Sequence, residues 1–167
     1  MSRSDERDLT AGNRKFEPVM AMVPVSSTDD PVSGKGGHRP ITDDRARWRD
    51  LLAEARDDYA ARAREGRAGF DVLARYADRM DGLVREIAGH VLRGVPTPIA
   101  IGAIGGYGRR ALCLNSDLDL LIVVGGPIGP AEERAIGSLL QPLWDLRLTV
   151  GQHVREISDF EQVETDN

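Results

Sequence analysis

Two short apolar runs, Pro98 to Ile104 and Leu118 to Val124, bracket a glycine turn and a polar stretch, and they restrict the fold more than any other feature of the chain. Each is short, rich in isoleucine, leucine or valine and bounded by proline or glycine, so each reads as a buried strand. Upstream, Trp48, Leu51, Leu52, Ala55 and Tyr59 recur at three- and four-residue spacing. That spacing predicts an amphipathic helix from Thr42, with Thr42 and Asp43 as caps, to Gly66. A stronger one runs from Phe70 through Leu73, Ala77, Met80, Leu83, Val84 and Ile87 to Val91, before Gly94 and Pro96. Downstream, Pro130 opens a helix through Ala135, Leu139, Leu140, Leu143 and Trp144, as proline tolerates a first helical turn. Leu148, Val150, Gln152 and Val154 then alternate with Thr149, Gly151, His153 and Arg155, a period of two that predicts a third strand with one largely apolar face. The expected architecture is α/β (α+β): a short mixed sheet flanked by helices, the two upstream helices packing on it.

Residues 1–40 mix charge with Pro18, Pro24, Pro31 and Pro40 and show no sustained period, which predicts a disordered tail. Gly34-Lys35-Gly36-Gly37 lacks the Gly-x-x-x-x-Gly-Lys-Ser/Thr spacing of a phosphate loop and reads as a linker. At the other end, Ser158-Asp159-Phe160-Glu161 is a capping-box signature, yet the sequence stops six residues later. The domain, 41–167, is therefore expected to be incomplete at its C-terminus. The formal net charge of -5, with acidic and basic residues interspersed, argues against a nucleic-acid partner. The one cysteine, Cys113, rules out an internal disulfide framework or a multi-cysteine zinc site. No run approaches the roughly 18 to 20 apolar residues of a membrane helix, and the charged start resembles no signal peptide. A cytoplasmic setting, without membrane or nucleic acid, is the expectation.

The segment with chemical content runs from Ile104 to Leu121. Glycines at 105, 106 and 108 leave backbone N–H groups open to a phosphate immediately after a strand. Asp117 and Asp119 sit two apart at the start of the next strand, so both carboxylates project from one face while Leu118 and Leu120 point to the core. Paired oxygens of this kind suit magnesium, which takes one or two protein carboxylates together with phosphate oxygens and water. Arg109 and Ser116 add a guanidinium and a hydroxyl. Singly, a glycine turn is often only a turn and an acid pair only a solvated strand edge. Their conjunction, with ten residues between Gly106 and Asp117, points to a nucleotide site. His90 has no ligand-type neighbour one turn away and reads as a surface or capping residue; His153 reads as an exposed strand residue. Tyr107, Cys113 and Trp144 read as core.

The Gly-Gly, spacer, Asp-x-Asp pattern resembles the nucleotidyltransferase superfamily that includes DNA polymerase beta. Gly105-Gly106-Tyr107-Gly108-Arg109, Ser116-Asp117-Leu118-Asp119-Leu120-Leu121, Leu143-Trp144-Asp145-Leu146 and Val150-Gly151 through Val154-Arg155 are similar to the N-terminal domain of PII-protein uridylyltransferase/uridylyl-removing enzymes. The resemblance spans roughly residues 50 to 167. It implies a polymerase-beta-like domain in which Gly105, Gly106, Arg109 and Ser116 hold the nucleotide and Asp117 and Asp119 bind Mg2+ and carry catalysis. It further implies UTP as donor, a tyrosine hydroxyl of the small nitrogen-regulatory PII protein as acceptor, and pyrophosphate as leaving group. The family continues its turn with Gly-Glu-Leu, where this chain has Arg110-Ala111-Leu112. The superfamily also uses a third carboxylate on a later strand, for which neither Asp145, at a helix end, nor Glu156, placed beyond the strand, is positioned. Two further readings stand beside this one: a nucleotidyltransferase with another protein or a small molecule as acceptor, and a catalytically incompetent fragment that only binds nucleotide or a partner protein.

Overall fold

The computed structural model describes residues 20–22, 41–66 and 69–160. Helix α1 (Ile41–Arg64) and helix α2 (Phe70–Val91) precede strand β2 (Ile99–Ala103), the helical turn α3 (Gly105–Gly108), strand β3 (Leu118–Val124), helix α4 (Pro130–Asp145) and strand β4 (Val150–Glu156). A three-residue strand β1 (Met20–Met22) pairs antiparallel with β2. It falls inside the segment expected to be a tail, the rest of which lies outside the described residues, as do residues 161–167. The sheet order is β1-β2-β3-β4. β2 and β3 run antiparallel with Ile101 opposite Ile122, whereas β3 and β4 run parallel across the α4 crossover with Leu118 opposite Val150. The fold is thus α/β with a short mixed sheet.

Burial along β3 alternates strictly. Leu118, Leu120, Ile122 and Val124 are buried, while Asp119, Leu121 and Val123 are half-buried on the opposite face. The buried set meets Ile99 and Ile101 of β2 and the apolar stripes of the three long helices in one core. In α2 that stripe is Val72, Tyr76, Ala77, Met80, Leu83, Val84, Ile87 and Ala88. Truncating such a residue to alanine costs about 2–5 kcal/mol for the leucines and isoleucines. Gly94, at φ +79°, turns the chain out of α2. α4 starts with Pro130 at its first turn, and Glu132 folds back to accept the Gly129 N–H at 3.1 Å. The other carboxylate oxygen of Glu132 accepts the Thr97 hydroxyl at 2.6 Å, which ties α4 to the loop entering β2.

Several expectations change on this scaffold. Cys113 is exposed, because it lies in the loop between α3 and β3. Trp144 is 48% exposed, since Leu139, Leu140 and Leu143 take the inward face of α4 and the next residue falls outside that stripe. Gln152 is exposed although its strand period matches Val150 and Val154, for β4 lies at the margin of the sheet. The helix predicted from Ser158 is a single turn, Ser158–Phe160, as far as the described residues extend. Thr42 and Asp43 lie inside the first turn of α1.

Candidate functional site

β2 delivers the chain to Ile104, whose N–H bonds the carbonyl of Asp119 at 2.9 Å, and the backbone then curls through α3. Gly108 N–H bonds Ile104 O at 2.8 Å. Arg110 N–H to Tyr107 O at 2.9 Å and Ala111 N–H to Gly106 O at 3.0 Å close the turn. These two bonds form a Schellman ending, which calls for a left-handed residue at Arg110, and Arg110 stands at φ +59°. Glycine takes that conformation without strain, which is why the Gly-Glu-Leu pattern suits the turn. Here the arginine side chain forms an ion pair with Asp78 of α2. A second tether comes from Tyr107, 3% exposed, whose hydroxyl donates to Asp81 of α2 at 2.7 Å. Burial, then the neighbouring Asp81 carboxylate, pushes the Tyr107 phenol far above its ordinary pKa, so it stays a donor. The turn is therefore anchored to α2 twice, while its leading N–H groups have no acceptor within the turn.

Asp119 is seated against this turn. A Cβ added at Gly105 would fall on Asp119 Oδ2, and a Cβ added at Gly151 would fall on Asp119 Oδ1, each closer than side chains approach in real proteins. The carboxylate thus occupies a slot whose two walls are glycine backbone, one from the turn after β2 and one from β4, directly opposite in register. Gly105 also lies at φ +61°, a second reason for glycine there. No hydrogen bond to the Asp119 carboxylate occurs among the described residues, so its lone pairs are unclaimed.

The other predicted residues fall around this slot. Gly106 supplies the carbonyl that closes the turn. Arg109 is exposed and borders a groove of about 500 Å³ that also touches Ala77, Asp81, Gly102, Gly105 and Leu121. Ser116 and Asp117 are exposed on the segment entering β3, without side-chain bonds among the described residues, and they do not border that groove. The structure therefore brings Gly105, Gly106 and Asp119 into one constellation and leaves Asp117, Ser116 and Arg109 at its solvent edge. Among the described residues no cluster of three metal-binding side chains occurs. His153 is exposed on the Asp119 face, as expected. Glu156 ends β4 instead of lying beyond it, on the opposite side from Asp119, and accepts the Ile128 N–H at 2.8 Å. The wall residue Gly151 and the tethers Asp78 and Asp81 were not singled out from sequence. A glycine inside a strand pattern is a mark of close approach, and that signal was present at Gly151.

No protein-family model matches the chain, and no solved structure does. Curated proteins do. The chain is 33% identical over 147 residues to the bifunctional uridylyltransferase/uridylyl-removing enzyme of Cereibacter sphaeroides, covering 84% of this chain and 16% of that protein. It is 34% identical over 119 residues to the enzyme of the same name from Thiobacillus denitrificans, covering 71% and 13%. The one from Azospirillum brasilense is 35% identical over 122 residues, covering 68% and 13%. The matches support the uridylyltransferase/uridylyl-removing enzyme family. The chain spans about a sixth or less of the length of these uridylyltransferase/uridylyl-removing relatives. No helix among the described residues is long and apolar enough to cross a membrane.

Proposed function

We propose that the chain carries the nucleotide-transfer site of a polymerase-beta-like nucleotidyltransferase, moving UMP from UTP to a tyrosine hydroxyl of a PII-type regulatory protein with release of pyrophosphate. The observation that carries this reading is the Asp119 carboxylate held between Gly105 and Gly151 beside an anchored glycine turn. The names of the relatives support the same class of chemistry.

Asp117 and Asp119 fit a divalent cation: both are hard oxygen donors, they lie two residues apart where the chain enters β3, and no protein group claims their carboxylate oxygens among the described residues. Magnesium held there would neutralise triphosphate charge and stabilise the leaving pyrophosphate. The N–H groups of Gly105 and Gly106 would receive phosphate oxygens, with Arg109 and the Ser116 hydroxyl at the rim. Tyr107 and Arg110 keep those donors in place through Asp81 and Asp78, so binding does not have to order the turn.

The absence of a third metal-binding side chain among the described residues favours one alternative, a domain that binds nucleotide without transferring it. Calorimetry of UTP with and without magnesium, beside the Asp117→Asn/Asp119→Asn variant and with ATP, GTP and CTP as competitors, tests the site. Metal-dependent, UTP-selective binding that vanishes in the variant upholds it, and a transfer assay with PII then separates the two readings. No binding by folded wild-type chain sinks both.

A further inference from the structure

A second cavity, of about 610 Å³, opens between α1, α2 and α4, away from the glycine turn. Trp48, Val91 and Pro142 give it an apolar lining. Its walls carry Arg45 from α1, His90 from α2, and Arg134, Ser138 and Gln141 from α4. A smaller cavity adjoins it and adds Arg49. Nothing in the proposed transfer chemistry uses any of these groups.

Their charges are unevenly matched. Arg134 forms no ion pair among the described residues. Arg45 meets Asp145 at 3.4 Å, but both side chains are about half exposed, an arrangement that contributes little and yields easily to a better partner. The His90 ring is fixed on two sides: Nδ1 lies 3.2 Å from Asp44 Oδ2, and the ring meets Trp48 edge-on with centroids 5.7 Å apart. Asp44 Oδ2 is itself buried behind the ring. The acidic groups near these walls are Asp44 beside His90, Asp145, which both Arg45 and the Gln141 amide meet, and Glu132, which feels the Arg134 charge. Two guanidiniums, an imidazole held by its neighbours, a hydroxyl and an amide line one cavity together with apolar side chains, and the volume suits a small molecule.

We infer that this cavity is a binding site for a small polyvalent anion bearing phosphate or carboxylate groups, separate from the nucleotide site. Arginine forks match both kinds of oxygen pair, and Trp48 and Pro142 accept the apolar part of such a ligand. The inference stands independently of the transfer reading.

The test uses the full chain carrying Trp144→Phe, so that Trp48 is the remaining indole. Its fluorescence is followed while pyrophosphate or citrate is added at constant ionic strength, with calorimetry of the same titrations as a second readout. Saturable binding of at least one anion is expected. It should weaken about tenfold or more in Arg134→Gln and in Arg45→Gln, the loss of one charge-assisted contact, and be unchanged in Asp119→Asn. The absence of saturable binding in both readouts overturns the site. So does equal binding by the arginine variants, and so does a loss in Asp119→Asn, which would place the anion at the nucleotide slot.

Discussion

The carboxylate of Asp119 fills the space that a side chain at position 151 would need. Because β3 and β4 pair with Asp119 opposite Gly151, neither backbone can move aside without breaking the ladder, and only the Asp119 side chain can yield. Gly151→Ala should therefore displace the carboxylate and leave the fold intact. Misplacement of a reacting group by about 1 Å costs on the order of 100-fold in rate, and a loss of that order in nucleotide transfer is expected, with circular dichroism unchanged. Wild-type transfer rates in Gly151→Ala would refute the slot.

Tyr107 links stability to alkaline pH. Its folded pKa is raised above the ordinary 10.0 by burial and by Asp81, so its contribution is complete below that value and declines as pH rises beyond it, where only the unfolded chain ionises. Urea unfolding from pH 8 to 11 should show the wild type losing stability above about pH 10 more steeply than Tyr107→Phe. At pH 7 the phenylalanine variant should be about 1–3 kcal/mol less stable, because Asp81 loses its donor. Parallel pH curves would exclude the linkage.

Glu132 acts at the acid end. Its pKa is lowered, first by the Thr97 hydroxyl and then by backbone N–H donors. The stability it confers is present above the ordinary carboxylate value of 4.5 and disappears as pH falls through the lower folded value. Glu132→Gln should flatten the loss of thermal stability between pH 5 and pH 3, a range set by about one unit either side of that ordinary value. An unchanged acid slope would contradict this role.

Two arginines occupy left-handed backbone, Arg110 at φ +59° and Arg147 at φ +58°. Arg147 closes α4 with the same pair of bonds seen after α3, Arg147 N–H to Trp144 O at 2.8 Å and Leu148 N–H to Leu143 O at 3.1 Å. Arg147→Gly should raise stability by about 1 kcal/mol, the left-handed penalty of a side chain. Arg110→Gly should gain less, since it forfeits the exposed ion pair with Asp78, worth about 0–1 kcal/mol. Equilibrium denaturation ranks the two, and a destabilised Arg147→Gly would refute the argument.

Elements governed by local periodicity were legible in the sequence. The span Phe70 to Val91 and the run Leu118 to Val124 coincide with α2 and β3, because in each the apolar spacing decides which side meets the core. What sequence did not disclose depends on pairing between distant segments. That Gly151 faces Asp119 follows from a parallel register set by the α4 crossover, and that Asp78 and Asp81 reach the glycine turn follows from how α2 lies on the sheet. Cys113 and Trp144 were misjudged because composition gives a residue's average preference for burial and not the face on which a loop or a helix end presents it.

The double tether from α3 to α2 also fixes how the glycine turn is lost. A turn of four residues has no cooperative stability by itself, so its order is inherited from the helix to which Tyr107 and Arg110 bind it. The turn and the middle of α2 should therefore open together, the amides of the turn losing their arrangement while the β3–β4 ladder still stands. Amide exchange along α2 should then report the lifetime of the ordered turn.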